Sequence, residues 1–233
     1  MQIGSKEWSD LIIEGAGVFG IDLTDRQSRQ FALHAAELAR WNQKINLTAI
    51  TDPAEVAVKH FIDSLPAARF IPKDATLLDI GSGGGFPGIP LKVLRPSVSV
   101  TLIDASRKKV NFLKHVMRTL KLKNIEALHM RAEDLADDPL YRHRFDVITS
   151  RALASLKLFC RLAVPLLSDE GIIIALKGDA GDDGLGELSG RESGPGEDGK
   201  PLGDHFSVTL EKYSLPFLRS KRSVVLIRKK LTM

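Results

Sequence analysis

The chain has 233 residues, with 33 Lys and Arg against 29 Asp and Glu, a formal net charge of +4 and 43% hydrophobic residues. These ordinary globular values exclude a disordered or collagen-like chain, and the length suits one domain with an accessory element. The single cysteine, Cys160, excludes an intrachain disulfide and a multi-cysteine zinc site, and we expect no metal.

The sequence gives no sign of a membrane or export segment. The longest apolar runs, such as residues 172–176, are far shorter than the roughly 20 residues that cross a bilayer. The first ten residues are polar and lack the basic-then-apolar pattern of a secretory signal. We therefore expect a cytoplasmic protein that does not bind membranes, and we favour a monomer.

Residues 1–70 are predicted to form a helical extension. Thr24 and Gln27 make a capping-box pattern. A second helix start, with Asp52 as its cap, is followed by a helix predicted to run towards Leu65. The helix after Thr24 has one apolar face, formed by Phe31, Ala35, Leu38, Trp41 and Ile45.

From residue 75 onward, short apolar strands alternate with helices, which predicts a parallel sheet with right-handed crossovers over residues 71–233. The predicted strands are 75–80, 98–103, 125–129, 145–149 and 171–176. The predicted helices between them are 87–94, 106–120 and 156–167. Two closing strands, 207–213 and 223–228, have no full helix between them, so we expect them to pair antiparallel at one edge.

Segment 178–204 differs from the rest of the chain in composition. It has nine of the 19 glycines, and its two basic and eight acidic residues give a charge of −6. We expect a flexible insertion, because this composition cannot bury enough apolar surface to fold. The remainder of the chain then carries +10, which suits a nucleic-acid partner, although a solvated basic surface is the plainer explanation.

A glycine-rich turn follows the first predicted strand and is the most informative motif. Its spacing fits two kinds of ligand. Gly83-x-Gly85-x-x-Gly88 matches dinucleotide-binding turns, a weak pattern on its own. Asp79-x-Gly81-x-Gly83 instead places a carboxylate before the glycines, where it suits a cationic amine such as that of S-adenosylmethionine.

Polar groups also follow the next two strands. Asp104 ends the second strand, a position that suits the two hydroxyls of a ribose in either cofactor. Ala132-Glu133 follows the third strand, where a nucleoside base would lie. Each carboxylate alone is more simply a helix cap or a surface charge, but together they favour a nucleotide-type cofactor.

The fourth strand ends in Ser150-Arg151-Ala152. It lacks the Asn/Asp-Pro-Pro-aromatic cluster that methyltransferases acting on exocyclic amines often have at this position. Methyltransferases acting on pyrimidine carbon five need a cysteine nucleophile, but Cys160 lies inside a helical segment, where packing explains it better. Methylation of guanine N7 needs neither that cluster nor a cysteine nucleophile, since the N7 lone pair can attack a methyl group directly once the two are aligned. The sequence is thus compatible with N7 methylation without requiring it.

In these segments the chain resembles the small-subunit ribosomal RNA guanine-N7-methyltransferases, also called glucose-inhibited division protein B. The similarity covers residues from about 24 to 178. The matching segments are Trp41-Asn42, Asn46-Leu47-Thr48, His60-Phe61-Ile62-Asp63-Ser64, residues 79–91 (DIGSGGGFPGIPL), Ser150-Arg151-Ala152 and Ala175-Leu176-Lys177-Gly178. Segment 178–204 is longer than the family pattern.

The resemblance implies an α/β fold, the seven-stranded Rossmann-like class I S-adenosylmethionine-dependent methyltransferase, with an N-terminal helical extension. It implies S-adenosylmethionine as the methyl donor and N7 of guanine 527 in 16S rRNA, free or within the small subunit, as the acceptor. The cofactor contacts it implies, together with the general methyltransferase positions, are Asp79, Gly81, Ser82, Gly83, Phe86, Asp104, Ala132, Glu133 and Arg151.

Four residues are candidates for the catalytic site. Arg151, at the end of the fourth strand, is predicted to face the cofactor and the target base; a salt bridge to Glu133 or Asp104 is the alternative. Asn46, His60 and Asp63 could line the target-base pocket or attach the extension to the core.

Candidates for RNA contact are Lys177, after the fifth strand, and a basic cluster near the C-terminus. That cluster is Arg219, Lys221, Arg222, Arg228, Lys229 and Lys230. Two other functions stay open at this level: a nicotinamide-dependent oxidoreductase, from the dinucleotide spacing, and a non-catalytic RNA-binding assembly protein, from the charge alone.

Overall fold

The structure is a computed structural model that describes residues 1–151, 155–178, 206–218 and 220–230. The predicted flexible insertion at 178–204 lies outside the described residues from residue 179 onward, so its flexibility stays a prediction. Within the described ranges, no helix is long and apolar enough to cross a membrane.

Two of the helices begin at the predicted start signals. Thr24 caps its helix through the predicted capping box with Gln27, and Asp52 accepts a hydrogen bond from the backbone N–H of Glu55 at 2.9 Å. The α-helices are Lys6–Gly17 (α1), Asp25–Ile45 (α2), Pro53–Val56 (α3), Gly88–Leu94 (α4), Arg107–Thr119 (α5), Ala132–Asp137 (α6) and Leu156–Ala163 (α7). Short 3₁₀ turns lie at Pro139–Tyr141 and Val164–Leu166.

The predicted continuous helix towards Leu65 is wrong in detail. After α3 the chain passes into a π-helical turn, Ala57–Phe61, and then into a 3₁₀ segment, Ile62–Phe70. Pro66 lies inside the 3₁₀ segment, and an α-helix cannot continue through it, because proline has no N–H to donate and its ring would clash with the carbonyl of Ile62. The altered winding directs His60 and Asp63 differently from a regular helix.

Seven strands form one sheet in the order β3-β2-β1-β4-β5-β7-β6. The first five strands pair in parallel, and β7 pairs antiparallel with both β5 and β6, as predicted for the closing strands. The strands are Thr76–Ile80 (β1), Ser99–Asp104 (β2), Ile125–His129 (β3), Phe145–Ser150 (β4), Leu167–Lys177 (β5), Phe206–Ser214 (β6) and Lys221–Lys229 (β7).

The helical extension and the sheet share one hydrophobic core. Trp8, Phe31 and Phe61 of the extension belong to the same buried cluster as Leu77 of β1 and Val100 of β2. A second cluster lies between the other face of the sheet and α7. The extension therefore covers one face of the sheet and reaches the loop that follows β1.

Candidate active site

The glycine loop after β1 leaves open space beside its first glycine. The N–H groups of Gly81 and Ser82 both donate to the carbonyl of Ile103 at 3.0 Å, which holds the loop against the end of β2. Gly81 has φ +72°, a conformation that side chains disfavour, and a Cβ added there would meet nothing within 4 Å. A ligand can therefore lie directly against this part of the backbone.

Asp79 lies beneath the loop and is fully buried. Its Oδ2 accepts a hydrogen bond from the backbone N–H of Gly88 at 3.1 Å, whereas its Oδ1 has no hydrogen-bond partner among the described residues. Burial raises the pKa of the Asp79 carboxyl to about 7. Because a nearby cation would stabilise the ionised form, this carboxylate fits a positively charged ligand.

The position of Asp79 in the sheet is also informative. Asp79 of β1 lies beside Thr149 of β4, and Thr149 Oγ1 is a second buried atom without a partner in the described part of the chain. The chain runs from β1 to β2 on one side and later returns to β4 on the other. This crossover is the switch point at which open parallel sheets bind their ligands.

Asp104, at the end of β2, supports the loop from the other side. Its Oδ2 accepts from the N–H of Gly83 at 3.0 Å, and its Oδ1 accepts from the N–H of Ser106 at 2.8 Å. Each carboxylate oxygen has a further lone pair, so these bonds leave acceptors for hydroxyl groups. The two carboxylates that the sequence singled out, Asp79 and Asp104, thus lie under and beside the same loop.

Ala132 and Glu133 begin α6, directly after β3. The N–H of Met130 donates to the backbone carbonyl of Asp104 at 3.3 Å, which brings this segment to the edge where β2 ends. Glu133 is exposed and Ala132 is half-buried. Both residues therefore border the same edge of the sheet as the glycine loop.

Phe86 of the loop is stacked between two histidine rings of the extension. The ring of His34, on α2, stacks on it with centroids 4.8 Å apart, and the ring of His60 does so at 4.7 Å. Phe61 meets Phe86 edge-on at 5.1 Å. The extension thereby fixes the loop that would contact a cofactor.

The sequence interpretation missed His34. Its Nε2 lies 2.8 Å from the carbonyl oxygen of Gly84 and must donate to it, because a carbonyl only accepts. Burial lowers the pKa of His34 to about 4, so the ring is neutral near pH 7. The signal that could have revealed it is a polar residue on the apolar face of α2, between Phe31 and Leu38.

Arg151 connects β4 to the extension. Its Nη1 donates to the carbonyls of Lys59 at 2.9 Å and His60 at 3.3 Å, and its Nη2 lies 2.9 Å from His60 Nδ1. Its guanidinium carbon is 5.0 Å from the centroid of Phe86. Among the described residues, neither Glu133 nor Asp104 forms the alternative salt bridge with it. Arg151 is positioned between the glycine loop and the π-helical turn.

A chain of hydrogen bonds orients His60. Since arginine only donates, His60 Nδ1 must accept from Arg151, so the proton of the neutral ring is on Nε2, which lies 2.8 Å from Thr48 Oγ1. Burial, with the charge of Arg151 as a second cause, lowers the pKa of His60 to about 3. Asn42, which the sequence interpretation gave no role, holds the backbone N–H groups of Leu47 and Thr48 at 2.6 and 2.9 Å.

Asn46 and Asp63, the other two catalytic candidates, lie in different surroundings. Asn46 is exposed and ends α2 in the left-handed conformation, where no described contact joins it to Arg151. Asp63 is buried; its Oδ1 accepts from the hydroxyl of Tyr213 at 2.8 Å, and its Oδ2 lies 3.5 Å from Arg222 Nε. Burial raises the pKa of Asp63. Asp63 thus attaches the extension to β6 and β7.

Two members of the C-terminal basic cluster form ion pairs with carboxylates. Arg222 pairs with Asp63, and Lys229 Nζ lies 3.1 Å from Asp169 Oδ1. Arg219 lies outside the described residues. Lys177 borders a pocket of about 180 Å³ at the ends of β4 and β5, which is lined by Ser150, Arg151, Ser155, Leu156, Phe159, Ala175, Leu176, Lys177 and Gly178.

Comparison with known proteins establishes the family. A sequence profile of the family described as rRNA small subunit methyltransferase G matches residues 27–193. The chain belongs to this family. A ribosomal RNA small subunit methyltransferase G of Geobacter metallireducens is 42% identical over 97% of this chain and 98% of its own length. One of Oceanobacillus iheyensis is 39% identical over 91% of this chain and 86% of that protein.

Membership in this family shows an enzyme of the methyltransferase class and confirms the resemblance. It decides against the nicotinamide-dependent and the non-catalytic alternatives. The fold is confirmed by a solved S-adenosylmethionine-dependent methyltransferase of Aquifex aeolicus, which covers 83% of this chain and 97% of its own with a TM-score of 0.53 at 17% identity. The predicted class I Rossmann-like fold is thus correct.

Proposed function

We propose that this protein transfers a methyl group from S-adenosylmethionine to N7 of guanine 527 in 16S rRNA. The observation that carries the choice of donor is the buried carboxylate of Asp79, with an unpaired oxygen beneath a loop open to ligand. S-adenosylmethionine has an ammonium and a sulfonium, whereas the pyrophosphate of a nicotinamide cofactor is anionic. When bound, it supplies a methyl group activated by the positive sulfur.

The described residues have groups suited to each part of this donor. Asp104 has acceptor lone pairs for the ribose hydroxyls, and the first turn of α6, with Ala132 and Glu133, borders the place of the adenine. Gly81, Ser82, Gly83 and Phe86 form the loop against which the donor lies. The backbone bonds to Asp104 keep this loop in place before ligand arrives.

The pocket beside Arg151 is the place proposed for the target base. Arg151 borders both the pocket and the ring of Phe86, so one side chain separates the acceptor from the donor loop. Attack by guanine N7 needs alignment and removes no proton. The base becomes positive on methylation, and the carboxylates of Asp63 and Asp79, which both act on Arg151 electrostatically, offset the arginine charge next to it.

Ribosomal RNA as substrate is supported by the family and by the basic balance of the chain outside segment 178–204. The proposal places the enzyme with its RNA in the cytoplasm. It does not depend on whether the base is presented by free 16S rRNA or by an assembled small subunit.

The deciding experiment is transfer of a tritiated methyl group. Free 16S rRNA and small subunits, both from cells lacking this gene, are incubated with enzyme and labelled donor, and the modified nucleotide is mapped. We expect 7-methylguanine at position 527 alone. Gly81→Asp is the inactive control, because its side chain would enter the ligand space with an unfavourable φ. Label at another base or atom would refute the acceptor, and no saturable donor binding would refute the cofactor.

A further inference from the structure

Helix α5 and the turn that follows it form a strongly basic segment of the described chain. Residues 105–125 contain seven Lys and Arg and no Asp or Glu. Val110, Leu113 and Val116 are buried and face the sheet. The seven cations, none of which forms an ion pair or side-chain hydrogen bond with a described residue, are Arg107, Lys108, Lys109, Lys114, Arg118, Lys121 and Lys123.

Three of these cations follow one line along the helix. Arg107, Lys114 and Arg118 are seven and four residues apart, so they share the face opposite the buried one, and all three are exposed. At about 1.5 Å per residue, the line from Arg107 to Arg118 is about 16 Å long. Lys121 and Lys123, also exposed, lie in the turn that follows the helix. We call these five residues the α5 stripe.

The α5 stripe runs from the sheet edge with the candidate active site to a groove beside α2. Its first residue follows closely on Asp104, so the stripe begins at the edge of the sheet that holds the candidate active site. Its last residues border a groove of about 530 Å³ that Arg26 of α2 also lines. Glu37 of α2, which contacts His115 of α5, also pairs with Arg40.

The predicted C-terminal cluster is a poorer surface for phosphates. Arg222 and Lys229 are held by Asp63 and Asp169, and only exposed Lys221 and Arg228 keep side chains without a described partner. An ion pair must break before such a cation meets a phosphate, whereas the α5 stripe needs no such rearrangement. The difference favours α5 as the primary contact.

We infer that the α5 stripe binds the phosphate backbone of the substrate RNA and holds it while the target base enters the pocket beside Arg151. The inference rests on the proposed function for its partner and adds the surface that contacts it. A row of unpaired cations contacts phosphates without reading sequence. The stripe should therefore govern affinity and salt dependence for any RNA, with no effect on the choice of nucleotide.

A pair of matched double variants tests this. Lys114→Gln with Arg118→Gln removes two cations from the stripe, and Lys221→Gln with Arg228→Gln removes one lysine and one arginine from the C-terminal cluster. Dissociation constants for 16S rRNA, for unrelated RNA of equal length and for small subunits are measured between about 50 and 200 mM salt. Donor binding is measured in parallel, because neither pair touches the glycine loop.

For the stripe variant we expect about tenfold weaker binding to both RNAs and to small subunits, with a salt slope reduced by roughly 1.4 to 1.8. Donor binding should equal that of the wild type. The C-terminal variant should retain the wild-type salt slope.

Three results would overturn the inference. One is an unchanged slope for the stripe variant while wild type binds RNA normally, which would leave the proposed function intact. Another is a loss confined to assembled subunits, which would assign the stripe to a protein partner. The third is wild-type enzyme that binds none of the RNAs, and this would refute the proposed substrate as well.

Discussion

The two buried histidines next to the glycine loop are neutral, planar side chains. With pKa values lowered to about 4 and about 3, His34 and His60 stay uncharged near pH 7. A charged His60 could not accept from Arg151 through Nδ1, and the relay from Thr48 to Arg151 would break. His60 is thus unsuited to be a general base, and N7 methylation needs none. Its proposed role is to position Arg151.

The raised pKa of Asp79 should make the stability of the protein depend on pH. Its pKa is raised in the folded protein from 3.8 to about 7, so the native state holds a proton that the unfolded chain has lost over this interval. The resulting contribution to stability is present below pH 4 and is lost as the pH rises through 7. Asp79→Asn should therefore flatten the dependence of unfolding free energy on pH between about 4 and 7, measured by denaturant titration.

The same variant should weaken donor binding. A cationic ligand favours the ionised carboxylate, so wild-type binding at pH 7 should release protons, and affinity should fall as the pH drops below 7. Calorimetry in buffers of different ionisation enthalpy measures that release. Asp79→Asn should bind S-adenosylmethionine about tenfold more weakly, a change of about 1.4 kcal/mol, and release none. Equal affinity in the variant would contradict the proposed contact.

Turnover should depend on the guanidinium group of Arg151. Its planar fork serves two carbonyls and one imidazole nitrogen at once, a geometry that lysine does not reproduce. Arg151→Lys and Arg151→Ala should each lower kcat at least about tenfold, equivalent to about 1.4 kcal/mol in the barrier, with a smaller change in donor affinity. The exposed Arg161 of α7, changed to Lys, is the control. If Arg151→Lys turns over at the wild-type rate, the planar arrangement of donors in the guanidinium has no role in catalysis.

At the scale of elements, two clusters of side chains join the extension to the rest of the molecule in addition to the shared core. One is the stack of His34, Phe86 and His60 at the glycine loop. The other is the cluster of Asp63, Tyr213 and Arg222, which joins the 3₁₀ segment to β6 and β7. Both His60 and Asp63 bond across to the core, in agreement with the second of their two predicted roles, and lining of the target-base pocket stays a prediction.

The sequence predicted the strands, most helices and the glycine-rich turn after β1 well, because their signals are local. Thr24 with Gln27 fixed one helix start, and the apolar runs fixed each strand of the sheet within a few residues. The π-helical turn, the role of Asn42 and the ion pair of Arg222 were not predicted. They depend on contacts between residues far apart in the chain, such as Arg222 with Asp63, and no local pattern reports such contacts.

Tyr213 allows one attachment to be tested alone. Tyr213→Phe removes the hydroxyl that donates to Asp63 at 2.8 Å but keeps the ring, which meets Phe19 edge-on at 5.5 Å. The unfolding free energy should fall by about 1–3 kcal/mol, because a buried carboxylate loses a donor. Tyr141→Phe, whose hydroxyl has no hydrogen bond to a described residue, should change it by less than about 0.5 kcal/mol. Equal effects would show that the cluster does not hold the extension.

At the scale of the whole molecule, the extension and the sheet pack around one shared core. Trp8 is fully buried and donates to the carbonyl of Pro53 at 2.9 Å, and Trp41 meets Phe112 of α5 at 5.7 Å. The boundary near residue 70 therefore separates two segments of the sequence, but the two segments pack into one core. We propose that the two parts unfold together.

The chain offers a direct test, because its only two tryptophans, Trp8 and Trp41, both lie in the extension. Tryptophan fluorescence follows the extension, and far-ultraviolet circular dichroism follows the whole molecule, so one cooperative unit gives coincident melting curves. S-adenosylmethionine at 100 times its Kd should stabilise the native state by about 2.7 kcal/mol and raise both midpoints by roughly 5–10 °C. A fluorescence transition that comes first and does not move with the donor would show an independent extension, and the positioning role of His60 would then fail with it.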